Sequence, residues 1–149
     1  MRASAADGYF EVRRPWISGD TLDLDLAMGC RVLEANPQVE ETLNEVAIQR
    51  GPIVYCLESS GLPHGISPLE VLLSSRPELV ACYDQRLLSG VVVLEGSALA
   101  RSAPAWEHQL YREIPSTSTK TVSLHLAPYF AWGNRAPSEM TVWIPRSQF

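Results

Sequence analysis

Thr21-Leu22-Asp23-Leu24-Asp25-Leu26 alternates strictly between apolar and acidic residues. In an extended chain the leucines fall on one face and the aspartates on the other. A helix would scatter the same leucines around its axis, so the stretch predicts a half-buried strand. The period returns at Thr121-Val122-Ser123-Leu124-His125-Leu126, where Val122, Leu124 and Leu126 share a face and His125 points away to solvent. Between them lie two apolar runs, Val46-Ala47-Ile48-Gln49-Arg50 and Ile53-Val54-Tyr55-Cys56-Leu57. Gly51-Pro52 separates the runs as a strand breaker and is the best internal boundary.

Outward from these anchors, strand signals dominate. Residues 9–13 form an aromatic and β-branched run, and Trp16-Ile17-Ser18-Gly19-Asp20 supplies a turn. Residues 31–35 predict a strand closed by Asn36-Pro37, followed by an acidic loop or helical turn at 40–45. A loop rich in Gly, Pro and Ser covers 59–68, and 69–73 fits helix and strand alike. Strands are expected at 79–83 and 91–95 around Gly90, irregular chain at 102–107, an edge strand at 110–114 and a polar tip at 116–120. An aromatic-rich loop at 128–137 precedes a last strand at 140–144. About eight or nine short strands without a long amphipathic helix predict an all-β, antiparallel, jelly-roll-like β-sandwich.

The 149 residues suffice for one domain, or for one domain and part of another. A net charge of −5 argues against a nucleic-acid partner, which needs a basic surface. Cys30, Cys56 and Cys82 are odd in number and widely spaced, without the paired ligands of a zinc site. They read as buried free thiols in a reducing compartment. No run approaches the roughly 18 apolar residues of a membrane span. The opening Met-Arg-Ala-Ser-Ala-Ala-Asp-Gly lacks the apolar core of a signal peptide. The expected location is cytoplasmic, with no membrane partner.

Candidate chemistry is sparse. Asp23 and Asp25 would stand about 7 Å apart on one strand face, a spacing that suits an inverting carboxylate pair. On the polar face of an alternating strand, however, acids are simply solvated. Glu40, Glu41 and Glu45 form an acidic surface loop. His64, His108 and His125 lie in no nucleophile motif, and no Gly-rich loop opens a helix for phosphate. No catalytic residue, metal ligand or cofactor is assigned. The aromatics Trp16, Trp106, Tyr129, Phe130, Trp132 and Trp143 gather in the flanks and the last third. Tyr129 and Trp132 are candidates for stacking on a sugar ring, with Asn134 and Arg135 holding its polar edge. Interdomain packing and oligomer contact compete for the same loop, and Trp143 is expected in the core.

Three stretches together resemble the C-terminal part of glycoside hydrolase family 127, the β-L-arabinofuranosidase family. They are Gly8-Tyr9-Phe10-Glu11-Val12-Arg13-Arg14-Pro15-Trp16 with Gly19-Asp20; Val46 through Glu58; and Pro128-Tyr129-Phe130-Ala131-Trp132-Gly133-Asn134-Arg135 with Glu139-Met140-Thr141-Val142-Trp143. The resemblance covers nearly the whole chain. It implies a layout of a helical catalytic barrel followed by β-sandwiches, with the catalytic glutamate and a zinc-binding cysteine cluster in the barrel. Nothing here matches those barrel motifs. Residues 1–50 would then be the last strands of a middle sandwich, and 51–149 the C-terminal sandwich. The implied role is a non-catalytic accessory domain that braces the barrel and builds a homo-oligomer. The alternative is a freestanding carbohydrate-binding module using Trp132, and an independent enzyme ranks third.

Overall fold

The computed structural model describes residues 9–102, 108–134 and 136–147, and the backbone of 2–6. The structure is all-β and antiparallel. Strands β1 (Arg2–Ala6) and β2 (Tyr9–Arg13) form a separate hairpin. The remaining strands belong to one sheet: β3 (Cys30–Leu33), β4 (Glu45–Arg50), β5 (Ile53–Glu58), β6 (Val71–Leu72), β7 (Leu79–Asp84), β8 (Val91–Ser102), β9 (Ser118–Pro128), β10 (Met140–Thr141) and β11 (Ile144–Pro145). Its spine runs β11-β4-β5-β9-β8-β6, with β3 beside β4, β7 beside β8 and β10 beside β5.

This sheet closes on itself. Leu73, just past β6, sits opposite Arg146, just past β11, in a parallel bridge. The Leu73 N–H donates to the Pro145 carbonyl at 2.8 Å, and the Ser147 N–H donates back to the Leu73 carbonyl at 2.8 Å. The two layers expected of a sandwich are therefore opposite walls of a single curled sheet. Closure satisfies backbone groups that an open edge would leave exposed.

The core fills the interior of the curl. Ile48 and Val46 from β4, Tyr55 and Leu57 from β5, Leu124 and Leu126 from β9, and Leu94 from β8 are all buried there, with Val71, Leu73 and Ile144. Each large apolar side chain so buried contributes about 1.5–3 kcal/mol relative to exposure. Tyr55 spans the curl, its hydroxyl donating to the Val92 carbonyl of β8 at 2.9 Å. That bond satisfies a polar tip that would otherwise be costly to bury. Burial pushes its phenol pKa up, and the Arg50 guanidinium partly offsets the shift.

Local turns follow their sequence signals. Asp20 accepts from the Ile17 N–H at 3.0 Å and pairs with Arg14, while Gly19 takes a positive φ of 96°. The Asn36 carboxamide accepts from the Gln38 N–H at 3.0 Å, an Asx turn that ends β3's exit. Gly51, with a φ of 55°, turns β4 into β5, and both strands belong to the same sheet and core. The ambiguous 69–73 stretch resolves into a 3₁₀ turn at Pro68–Glu70, capped reciprocally by Ser67 and Glu70, followed by β6.

Several expectations are corrected. Residues 21–26 form no strand, and Leu22, Leu24 and Leu26 are 62%, 74% and 59% exposed. Residues 110–114 form no edge strand either, and Leu110, Tyr111 and Ile114 are nearly fully exposed. In both cases the residues suit a strand, but neither stretch takes a place in a ladder of the described chain. The polar tip at 116–120 is largely the start of β9, which pairs with β8 from Ser118 onward. The last strand is broken at Val142 and Trp143 into β10 and β11, and Trp143 is half-buried instead of core.

Leu124→Ala empties a fully enclosed site and is expected to cost about 2–5 kcal/mol in urea unfolding. Thr121→Ala, on the exposed side of the same strand, should stay within about 0.5 kcal/mol.

Candidate functional site

The aromatic loop begins where β9 ends. Pro128 closes the strand and leads into a 3₁₀ turn at Tyr129–Ala131, sealed by the Trp132 N–H donating to the Tyr129 carbonyl at 3.1 Å. Ala131 is the anchor. It is fully buried and packs with Leu87, Val93 and Ala127 in a second, small apolar cluster on the outer face of the sheet. With Ala131 driven inward, Tyr129, Phe130 and Trp132 face outward, at 49%, 59% and 42% exposure. The Tyr129 and Trp132 rings lie near-parallel, 24° apart in plane, with centroids 6.3 Å apart.

Asn134 serves this turn internally. Its Nδ2 donates to the carbonyls of Ala131 and Trp132, each at 3.3 Å, which stiffens the loop. Gly133 takes a φ of 76°, which lets the chain double back for that contact. Arg135 and Trp106 lie outside the described residues. Of the four residues singled out from sequence, the structure thus joins Tyr129 and Trp132 as a ring pair and Asn134 as their brace.

A polar row that the sequence reading missed lies on the same outer face. His125 of β9 stands opposite Glu95 of β8 in the ladder. Two residues along β9 from His125 is Ala127, the floor under Ala131. His125 is half-buried rather than turned freely to solvent. The loop carrying Gly61 passes over it so closely that a side chain at 61 would crowd the His125 carbonyl. From β7, Cys82 and Asp84 extend the row. Burial pushes the Cys82 thiol pKa up, and the Glu95 carboxylate hydrogen-bonded to it adds to the shift. Hydrogen bonds from Arg86 hold the Asp84 carboxyl below the ordinary carboxylate range, its N–H at 2.9 Å and its Nε at 3.2 Å. Residues so far apart in sequence share no local motif. Only the β7-β8-β9 pairing gathers them.

Elsewhere the described residues line several open depressions, among them two of equal size. One, of about 660 Å³, is lined by Ser59, Ser60, His64, Ser67 and Glu70. The other, also about 660 Å³, lies between Leu43, Leu72, Leu99 and Ile114 with Glu45 and Arg101 on its walls. Partial burial raises the Glu45 pKa there. Asp23 and Asp25 lie on the exposed, unpaired 21–26 stretch, with no strand to fix their spacing. His64 and His108 are exposed. Among the described residues no three His, Cys, Asp or Glu side chains gather as a metal site, and no helix is long and apolar enough to cross a membrane.

The model of the glycoside hydrolase family 127 C-terminal domain matches residues 30–145, from β3 through β11. The chain belongs to glycoside hydrolase family 127. A curated relative, the non-reducing end β-L-arabinofuranosidase of Bifidobacterium longum subsp. longum, is 29% identical over 133 residues, 87% of this chain. A solved GH127 β-L-arabinofuranosidase from Geobacillus stearothermophilus T6 is 39% identical over 80% of this chain, with a TM-score of 0.70. A solved glycoside hydrolase superposes on 99% of the chain with 38% identity and a TM-score of 0.78. The chain spans 20% of the curated relative's length and 18% and 24% of those two solved chains. The matched part of the family is thus its C-terminal domain.

Two measurements probe the polar row. A carboxyl NMR titration should place Asp84 below the ordinary midpoint of about 3.9, and Arg86→Ala should return it toward that value. Because the folded pKa is depressed, this contribution is present above the unfolded midpoint and is lost as pH falls through the folded one; Asp84→Asn should remove it. Of the three cysteines expected to be buried, Cys56 is, Cys82 is partly so and Cys30, on the short strand β3, is exposed; thiol labelling should therefore modify Cys30 first and Cys82 slowly, with Cys56 reacting only on unfolding.

Proposed function

We propose that the chain acts as a non-catalytic accessory domain of a longer family 127 hydrolase. It braces a catalytic barrel and contributes to a homodimer. The observation that carries this reading is the run of exposed apolar side chains between residues 9 and 26. Tyr9, Phe10, Trp16 and Ile17 are exposed together with Leu22, Leu24 and Leu26. A soluble domain seldom leaves so many large apolar side chains in water within one short stretch, and such surfaces mark docking sites. The alternation of 21–26 adds a second support, since it fits a strand laid against a sheet from outside the chain. The limited share of the relatives' length that the chain spans supports a larger polypeptide as that neighbour.

In this reading the catalytic groups reside in the barrel. The substrate chemistry belongs to the whole enzyme, which by likeness to its relatives acts on arabinofuranosides. Arg14 stacks over Trp16, with its guanidinium carbon 5.1 Å from the ring centroid, and pairs with Asp20 at 3.0 Å. The entrance to the exposed stretch is therefore already ordered, which lowers the entropy cost of docking.

Light scattering coupled to size exclusion tests the proposal on the purified chain. The expected result is self-association at micromolar concentration, with at least a doubling of mass. Combined Leu22→Ser, Leu24→Ser and Leu26→Ser substitutions should return it to a monomer. A wild-type chain that stays monomeric would refute the docking role of this stretch.

A further inference from the structure

We propose that the cavity where the Leu73–Arg146 bridge meets the outer face of β8 and β9 is a binding site for a small organic acid. The apolar body of the ligand lies against Leu72 and Leu99, and its carboxylate is held by Arg101 with the hydroxyls of Thr117 and Thr119. The inference goes beyond the accessory role and does not rest on the exposed stretch at 9–26.

Strand register builds this cavity. On β8 the side chains of Ala98 and Ala100 turn into the core, so the alternate residues Leu99 and Arg101 turn outward. Leu72 of β6 stands opposite Leu99, and Thr119 of β9 stands opposite Arg101. The two pairs follow one another on the same face, about 7 Å apart, which sets an apolar step beside a cationic one. The bridged end of the sheet supplies the other wall, with Pro145 paired to Glu45 and Arg146 next in the chain. Leu43 and Ile114 complete the rim. The volume of about 660 Å³ falls in the range of small-molecule sites, which join an apolar lining to a few converging polar groups.

The lining selects the ligand. Arg146 pairs with Glu34 at 3.5 Å, whereas no side-chain hydrogen bond or ion pair ties Arg101 to another described residue. One guanidinium fork beside two hydroxyls matches a carboxylate, which accepts from both. A phosphate of higher charge would call for a second uncommitted cation, and a sugar for an aromatic plane; the described residues of the lining offer neither. The leucines and Ile114 are left for an apolar body. Among the described residues of the lining Glu45 is the one acid, and partial burial disfavours its charged form. Its charge opposes an anion in the cavity, so its removal should tighten binding, which mere loosening of the wall would not do.

Amide NMR titration of the full chain tests the site, with 4-phenylbutyrate as the probe and 4-phenylbutan-1-ol as its uncharged counterpart. The expected result is saturable millimolar binding of the acid, with shifts at Leu72, Leu99, Arg101 and Thr119. The alcohol should bind about tenfold more weakly, because it lacks the charge-assisted bonds. Arg101→Gln should weaken the acid by about the same factor, Leu99→Ser should weaken it several-fold, and Glu45→Gln should strengthen it. Arg86→Ala, in the turn between β7 and β8, should leave it unchanged, and circular dichroism should show each variant folded. No saturable shift, equal binding of the alcohol, binding that survives Arg101→Gln, or binding that Glu45→Gln fails to strengthen overturns the proposal. The self-association measurement on the leucine variants reads a different surface, so either idea can fail while the other stands.

Discussion

The parallel bridge between Leu73 and Arg146 turns a long antiparallel sheet into an enclosure. Without it, β6 and β11 would be two open edges, and the apolar interior would face water along the gap. Leu73 itself is fully buried, so the residue that donates and accepts the closing hydrogen bonds also seals the core. The Arg146 N–H donates on to the Asn44 carbonyl at 2.8 Å, tying the seam to the entry of β4. The first and last parts of the domain therefore depend on one another. Such non-local closure makes loop entropy a large share of the folding barrier.

Once the curl is closed, its outer face becomes available for other uses. On most of β9 that face carries Thr121 and Ser123, which meet solvent. Toward the strand's end it changes character. Ala127 and Cys56 are buried, and Ala131 caps them with the turn that displays Tyr129, Phe130 and Trp132. A small residue at 131 is what allows the turn to sit so close to the sheet. The ring pair and the Glu95–His125 row are thus consequences of how one hairpin, β8 with β9, is covered at only one end.

Two hexapeptides show how far sequence reading goes. Residues 21–26 and 121–126 share the same apolar period, and each predicts an extended chain with one apolar face. At 121–126 the apolar face is buried as expected: β9 lies between β5 and β8, and Val122, Leu124 and Leu126 are enclosed, while His125 on the other face is half-buried. At 21–26 the leucines stay in water. Periodicity reports which face would be buried, but burial needs a second surface, and hexapeptide composition carries no information about one. The same distinction explains 110–114, where suitable side chains meet no ladder. The ring pair was readable in outline, because Tyr129 and Trp132 are three apart in a loop bounded by Pro128 and Gly133. The polar row was not, because Cys82, Asp84, Glu95 and His125 come from three strands.

The sequence by itself determined the all-β class, the positions of most strands and turns, the aromatic turn and the resemblance to family 127. These rest on local rules: period-two alternation, turn residues with special φ and ψ, and motifs in continuous chain. Only the tertiary structure decided that one sheet curls to meet itself, which alternating segment is buried, and which polar side chains gather on its outer face. Those depend on strand order and register, and these are fixed by burial across the whole core, not by any one segment's preference.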